Sequence, residues 1–431
     1  MLNIIRFLLS LYRFSKNGND VTDLITFTKR CGTVAIKLLQ FICMRNNIKN
    51  KQLQFVFEDC DIHSLEDTKQ MYFEDFGRKL SSDFMVRRDI IGSGSIGQVY
   101  RFYSLTHDHF VALKSKHPGV DKNVHDFIKI IKVICWFVYP FNIYHELIME
   151  YIENIKLQLD YDQEAKNTIK LRGLWQNEES VIVPEVYYYS KNFICMSYHE
   201  GENFNNISEP EQLIASMCIT FIFLTGLLQH DFLHADLHTG NWKVVIKEKS
   251  MKILLYDCGV MCRTGDLEKN KLIIATLMAG QFDRLVYIIG DASQKRLDEC
   301  SRFINENLPE TAMERTNFFI KKVLKERLIS NKMFIHVLTA LAIVGEISDK
   351  STGIFTRYTG REVLLYECMI YMYISILNKL QMFTGLNTFL QDWMDSDKIH
   401  KERYTDWLME RFGHNKGYIL DNIIYGKFNL N

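Results

Sequence analysis

The sequence predicts an α+β fold in two lobes, a small one built around an antiparallel sheet and a large one that is mainly helical. Three observations predict it. The stretch "DIIGSGSIGQVYRF" (residues 89–102) runs through a polar turn, "THDH", into "FVALK", which reads as strand, glycine loop, strand and strand. "EVYYYSKNFICMSYHEG" (185–201) reads as a second hairpin that leads into a hinge near Gly201. Beyond Arg263 the chain reads as helical.

Composition sets the limits. The 431 residues leave room for two or three domains, and with 47% hydrophobic and 24% charged residues they match a packed globular protein. Five prolines and no Gly/Ser-rich run argue against flexible linkers. Fifty-two basic residues balance fifty-two acidic ones, so no overall field attracts nucleic acid and no nucleic-acid partner is expected. Ten scattered cysteines without a C-x-x-C pair point to free thiols in a reducing, intracellular compartment, not to a secreted disulfide scaffold.

Residues 1–80 read as an N-terminal helical extension. Its opening, "MLNIIRFLLSLYRFSKNG", carries Arg6, Arg13 and Lys16 with no acid before Asp20. That suits packing against the body of the protein, or a peripheral-membrane or organelle-targeting role. Residues 81–199 form the small lobe. A dinucleotide-binding fingerprint would open a helix after its glycines, but a strand follows here, and no Gly-Lys-Ser/Thr completes a P-loop. What fits is the hairpin of a protein-kinase glycine loop, G-x-G-x-x-G-x-V. It is met by Gly92, Gly94, Gly97 and Val99, with Ser93 and Ser95 between them. Glycine suits such a loop because main-chain amides without a Cβ can approach phosphate oxygens closely. "VALK" matches the kinase strand whose lysine, here Lys114, meets the α- and β-phosphates. The apolar stretch "HDFIKIIKVICWFVYPFNIYHELIMEYI" reads as helices inserted into the small lobe. After it, "QLDYDQEAKNTIKLR" (158–172) offers Glu164 as the partner of Lys114, and Met196 falls near the gatekeeper place.

Residues 200–431 form the large lobe. "LIASMCITFIFLTGLL" (213–228) is shorter than the ~20 residues of a spanning helix and reads as a buried core helix. "LHADLHTGN" (233–241) has the H-x-D-x4-N spacing of a catalytic loop, with His234, Asp236 and Asn241. Two β-prone runs then lead to Asp257-Cys258-Gly259, in the place of D-F-G with cysteine for phenylalanine. Phosphoryl transfer needs a carboxylate beside the attacking hydroxyl or water, and oxygen ligands for Mg²⁺. Asp236 suits the first role; Asn241 and Asp257 suit the second, with Mn²⁺ as a substitute for Mg²⁺. His230, His234 and His238 at i, i+4 and i+8 suggest a metal stripe on a helix. Gly240 ends any helix there, however, and the catalytic-loop spacing accounts for Asp236 and Asn241 as well. Ala235 stands where kinases carry the arginine that receives an activation-loop phosphate, so no switch of that kind is expected.

At this level of detail the sequence resembles the UbiB family, the AarF-domain-containing atypical kinases. "SIGQVY" resembles its S-I-G-Q-V segment, "ALKSKHPGV" its V-K-x-Q-H/R-P-G-V, "LDYDQEA" its E-x-D-Y-x-x-E-A helix, "HADLHTGN" its H-A-D-P-H-P-G-N, and "LLYDCGV" its L-L-D-F-G-M. "IKLLQFICMR" resembles its K-x-G-Q segment, and the likeness runs from about Gly32 to Arg263. The resemblance implies a bilobal protein-kinase-like fold that binds ATP or ADP with Mg²⁺ and works at a membrane or on a lipid, in ubiquinone biosynthesis or other isoprenoid-lipid metabolism. It also implies an extension lying over the place a protein substrate would take, so a nucleotide is the expected partner and a protein substrate is not. Carried over by position, Lys37 and Gln40 would be the extension's contribution to the nucleotide pocket. The chain departs from the family where Gly92-Ser93-Gly94-Ser95 replaces an alanine-rich loop, where Leu39 replaces the glycine of K-x-G-Q, and where Gln158 replaces the glutamate of E-x-D. Two other readings stay open: a protein kinase acting in trans, and a nucleotide-binding pseudokinase scaffold in which Cys258 loosens the packing of Asp257.

Overall fold

The computed structural model describes residues 2–17, 21–45, 53, 62–87, 89–137, 152, 155–247, 250–278, 280–309 and 312–359. They fall into two compact units. One is drawn from Met1–Ile169 and Pro184–His199, the other from Lys170–Val183 and Glu200–Asn431.

The first unit contains an antiparallel sheet of β1 (Phe84–Met85), β2 (Ile90–Ser93), β3 (Gly97–Ser104), β4 (His109–Lys116), β6 (Val186–Tyr189) and β7 (Phe193–Ser197). Its order is β1-β3-β4-β7-β6, with β2 also pairing with β3. Strand β3 alternates half-buried and buried positions along its whole length, the period-2 signature of a sheet covered on both faces to different depths. Tyr100, Phe102, Val111, Leu113, Phe193 and Cys195 share one face and form a core with Tyr72 of the helix Leu65–Phe76, Leu80 and Phe84. That helix begins with a capping box in which Ser64 and Asp67 satisfy each other's main-chain amides, and it ends at Gly77 in the left-handed region. Ile194 on the other face joins a second core. Tyr161 and Ala165 of the helix Tyr161–Trp175 belong to it, as do residues of the N-terminal helices Leu2–Asn17, Thr22–Cys31 and Thr33–Arg45 and the inserted helix Val120–Phe137. Leu39 is fully buried in this core, so the residue standing at the K-x-G-Q glycine serves packing.

The second unit is mainly helical. It holds a small sheet, β5 (Val181–Ile182) parallel to β10 (Ser250–Leu255), which pairs antiparallel with β9 (Trp242–Lys247), and a two-stranded pair of β8 (Leu233–His234) and β11 (Met261–Cys262). The helix Glu209–Thr225 runs through its core and widens into a π turn at Gly226–His230. By length and composition the Glu211–His230 run could cross a membrane, but 89% of its apolar 18-residue window is buried inside the protein, as expected of a core helix. Among the described residues, the helices Leu267–Met278, Phe282–Ile289, Gln294–Asn307, Ala312–Lys325 and Lys332–Thr359 also belong to this unit.

Candidate active site

In the first unit the strand register sorts the site residues by face. Val99 pairs with Lys114, and Lys114 with Ile194, while Met196 pairs with Ala112 two residues away. Opposed residues in an antiparallel pair share a face, so Val99, Lys114 and Met196 lie on the side where the helix Tyr161–Trp175 packs. Glu164 stands one turn into that helix. Lys114 Nζ lies 2.6 Å and 2.8 Å from its two carboxylate oxygens. The carboxylate is 2% exposed and the lysine side chain 16%, so the pair is largely desolvated and depends on both partners. Tyr161, one helical turn before Glu164, presents its ring 5.1 Å from both Lys114 Nζ and Lys116 Nζ. Asp160 caps the helix, its Oδ1 accepting from Gln163 N at 2.9 Å.

The glycine loop closes between β2 and β3, with Gly94 N donating to Gly97 O at 2.9 Å. Gly92 pairs with Val99, but Ser93 pairs with Gln98 and so places its side chain on the face opposite Lys114. The three glycines are not equivalent. A Cβ on Gly97 would meet Ser115 O at 2.3 Å and Tyr161 Oη at 2.6 Å, so β4 and the Glu164 helix require glycine there. Gly92 is surrounded by open space, Gly94 would make only ordinary contact, and neither takes a positive φ. The steric demand comes from packing at Gly97, not from the loop tip. Lys37 and Gln40 fall in the helix Thr33–Arg45, and their side chains lie outside the described residues.

In the second unit the catalytic-loop residues are held by main chain. Ala235 N donates to Val260 O at 2.9 Å, and the β8–β11 pairing joins His234 to Met261. His234 is buried, its Nδ1 accepts from Asp236 N at 3.2 Å, and its Nε2 donates to Tyr256 O at 3.2 Å. That pair of bonds requires the neutral imidazole with the proton on Nε2, and burial lowers its pKa from the usual value accordingly. Asn241 Nδ2 donates to Asp236 O at 2.8 Å and lies 3.3 Å from Asp236 Oδ2, while Tyr256 N donates to Asn241 O at 3.1 Å. Asp257, next in the chain, has φ 57°, a left-handed conformation that aspartate tolerates better than most residues. Cys258 is fully buried in the core of this unit. Asp236, Asn241 and Asp257 thus belong to one hydrogen-bonded segment, with carboxylate and amide oxygens of the kind hard divalent cations take.

Three residues outside the expected set also bear on the geometry. His238 Nε2 stands 3.6 Å from Asp236 Oδ2, and its Nδ1 accepts from Gly240 N at 3.0 Å. Asp231, with φ 43°, accepts from Thr264 N, Thr264 Oγ1 and Gly265 N at 2.7–2.8 Å and ties the chain before the catalytic loop to the chain after β11. His117 hydrogen-bonds to the glycine loop. His238 was visible as part of "HADLHTGN" and His117 as part of "ALKSKHPGV", but Asp231 carries no motif. His230, His234 and His238 do not form a helical stripe: they sit in the π turn, in β8 and in the following loop.

A lysine–glutamate pair beneath a glycine hairpin and an Asp–Asn–Asp segment are the parts of a kinase-like protein. Residues 56–285 match the ABC1 atypical kinase-like domain, and the chain belongs to this ABC1 (AarF/UbiB) family. It is 24% identical over 287 residues to an uncharacterized protein of Synechocystis sp., an alignment covering 61% of this chain and 66% of that one. It is 25% identical to a chloroplastic aarF domain-containing protein kinase of Arabidopsis thaliana, uncharacterized, over 49% of this chain and 32% of that one. It is also 25% identical to AarF domain-containing protein kinase 1 of Xenopus tropicalis, over 49% of this chain and 42% of the relative. The chain therefore spans from about a third to two thirds of the length of these relatives. Among solved structures, the Rv3197–erythromycin complex of Mycobacterium tuberculosis has a similar fold, with a TM-score of 0.50 and 16% identity over 72% of this chain and 87% of that one.

Proposed function

We propose that this chain is an atypical kinase or ATPase of the UbiB type that binds Mg-ATP and works in a membrane or isoprenoid-lipid context. The observation that carries the reading is the Lys114–Glu164 ion pair, because a largely desolvated lysine fixed by a carboxylate is the device that meets the α- and β-phosphates in kinases. The oxygen donors of Asn241 and Asp257 fit a Mg²⁺ ion, which when bound would neutralise charge on the phosphates. Asp236 would orient the attacking hydroxyl or water, with Asn241 and His234 holding its main chain in place. In this reading residues 1–80 are the extension, 81–199 the small lobe and 200–431 the large lobe. A membrane or organellar setting is supported by the helix Leu2–Asn17, which exposes Leu2, Ile5 and Leu9 and carries Arg6, Arg13 and Lys16 without an acidic residue. The chloroplastic relative points the same way.

The test is a thermal-shift and phosphate-release measurement with Mg-ATP, with and without anionic liposomes. The wild type should gain thermal stability and release phosphate, and liposomes should stimulate it. Asp257→Asn should lose both the gain and the release. A variant that kept the full gain would overturn the role given to Asp257, and phosphate transfer to general protein substrates would favour a kinase acting in trans.

A further inference from the structure

The glycine loop is gripped from one side by a single residue. His117, the first residue after β4, donates its main-chain N–H to Ile96 O at 2.9 Å, and its side-chain Nε2 lies 2.8 Å from Gly94 O. A carbonyl can only accept, so Nε2 carries the proton. In a neutral imidazole Nδ1 is then an acceptor, and it lies 2.8 Å from His63 Nδ1, which must donate. His63 Nε2 in turn accepts from Thr68 Oγ1 at 2.9 Å. Thr68 Oγ1 takes the Tyr100 hydroxyl at 2.8 Å, and Tyr100 takes the Gln98 amide. Gln98 is fully buried and also brackets His63, accepting from its N–H at 3.1 Å and donating to its carbonyl at 3.2 Å. With His117 neutral, and the Thr68 proton given to His63 in preference to the more distant Ser64 O at 3.4 Å, the relay has one direction and ends on Gly94.

We propose that His117 is a positioning residue for phosphate binding: its bond to Gly94 O turns the Ser95 amide N–H away from His117 and toward a nucleotide phosphate. A trans peptide sets its C=O and N–H on opposite sides, so aiming the carbonyl at His117 aims the following N–H the other way. That N–H has no acceptor among the described residues. The Ser95 hydroxyl is buried and likewise lacks a partner there, so the loop holds polar groups that the described residues do not satisfy. Strain does not set the loop tip, since Gly92 and Gly94 take ordinary backbone angles with room around them. Orientation comes from the relay. Burial and the neighbouring His117 push the His63 pKa down to about 4 against the opposing charge of Asp67, which keeps His63 neutral at physiological pH.

The inference rests on the proposed nucleotide binding, and one experiment separates the two. Affinities for Mg-ATP, Mg-ADP and adenosine are measured by calorimetry for the full-length wild type, His117→Leu, His117→Gln and His117→Asn, with melting curves for each. Glutamine places an N–H near the former Nε2 and asparagine does not. His117→Leu and His117→Asn should bind Mg-ATP and Mg-ADP about tenfold more weakly, the equivalent of one hydrogen bond, with adenosine unchanged and His117→Gln within about threefold of wild type. Equal Mg-ATP affinity in wild type and His117→Asn, or a parallel loss for adenosine, would overturn the positioning role while leaving nucleotide binding intact. A wild type that binds no Mg-ATP would reject both. If His117→Leu does not fold, the order of His117→Gln and His117→Asn decides: equal affinities overturn the role, and weaker binding by asparagine alone supports it.

Discussion

Lys114 faces a buried carboxylate, whereas the chain that carries Asp236 and Asp257 is shaped by main-chain bonds. In the first unit the lysine faces a carboxylate that is almost fully buried, so its position and the stability of its surroundings share one interaction. In the second unit the catalytic-loop segment shows a different kind of hold. Its shape comes from main-chain bonds, from His234 bridging Asp236 N and Tyr256 O, and from a left-handed turn at Asp257. The lesson is that the two sets should answer differently to substitution. A charge-held residue cannot lose its partner without disturbing the fold, but a side chain on a main-chain scaffold can be changed and leave the fold alone.

The largest expected effect exploits the scaffolded side. Asp236→Asn should slow phosphate release by about 10²–10⁴-fold, the usual contribution of a positioned general base, with an unchanged unfolding midpoint. Single-turnover kinetics and denaturant melts check both halves. Next comes Glu164→Ala, which removes the carboxylate from a largely desolvated ion pair and should destabilise by about 3–5 kcal/mol in urea unfolding. Equal destabilisation by Asp236→Asn and Glu164→Ala would erase the contrast. The smallest effect sharpens it within the glycine loop. Gly97→Ala should destabilise by about 1–3 kcal/mol through collision with Ser115 O and Tyr161 Oη. Gly92→Ala, which meets open space, should stay within about 0.5 kcal/mol.

Much of this could be read from the chain. The hairpin strands announced themselves by alternation and glycine punctuation, and the antiparallel sheet they form is the core of the first unit. The Lys114–Glu164 contact, fifty residues apart, was legible because motif order survives an insertion between its members. The glycine loop was harder to read. The reasoning that glycine frees the backbone applies poorly at Gly92 and Gly94, and the demand at Gly97 arises from strand packing that only three-dimensional neighbours reveal. The helical stripe of His230, His234 and His238 was set aside because Gly240 ends a helix, and the chain leaves the helix earlier still, at Asp231 after the π turn. The parallel pairing of Val181–Ile182 with β10 rests on two residues about 70 positions away and leaves no periodic trace. The His63–His117–Gly94 relay is invisible for the same reason, since nothing local in sequence joins its members.

The carboxylate of Asp231, stapled to Thr264 and Gly265, has a consequence for control. A segment already tied down by an acid born with the chain leaves an added phosphate nothing to organise. One placed on Thr264 would face a like charge and push the segment off its anchor. Phosphorylation at Thr264 should therefore loosen this tie and not tighten it.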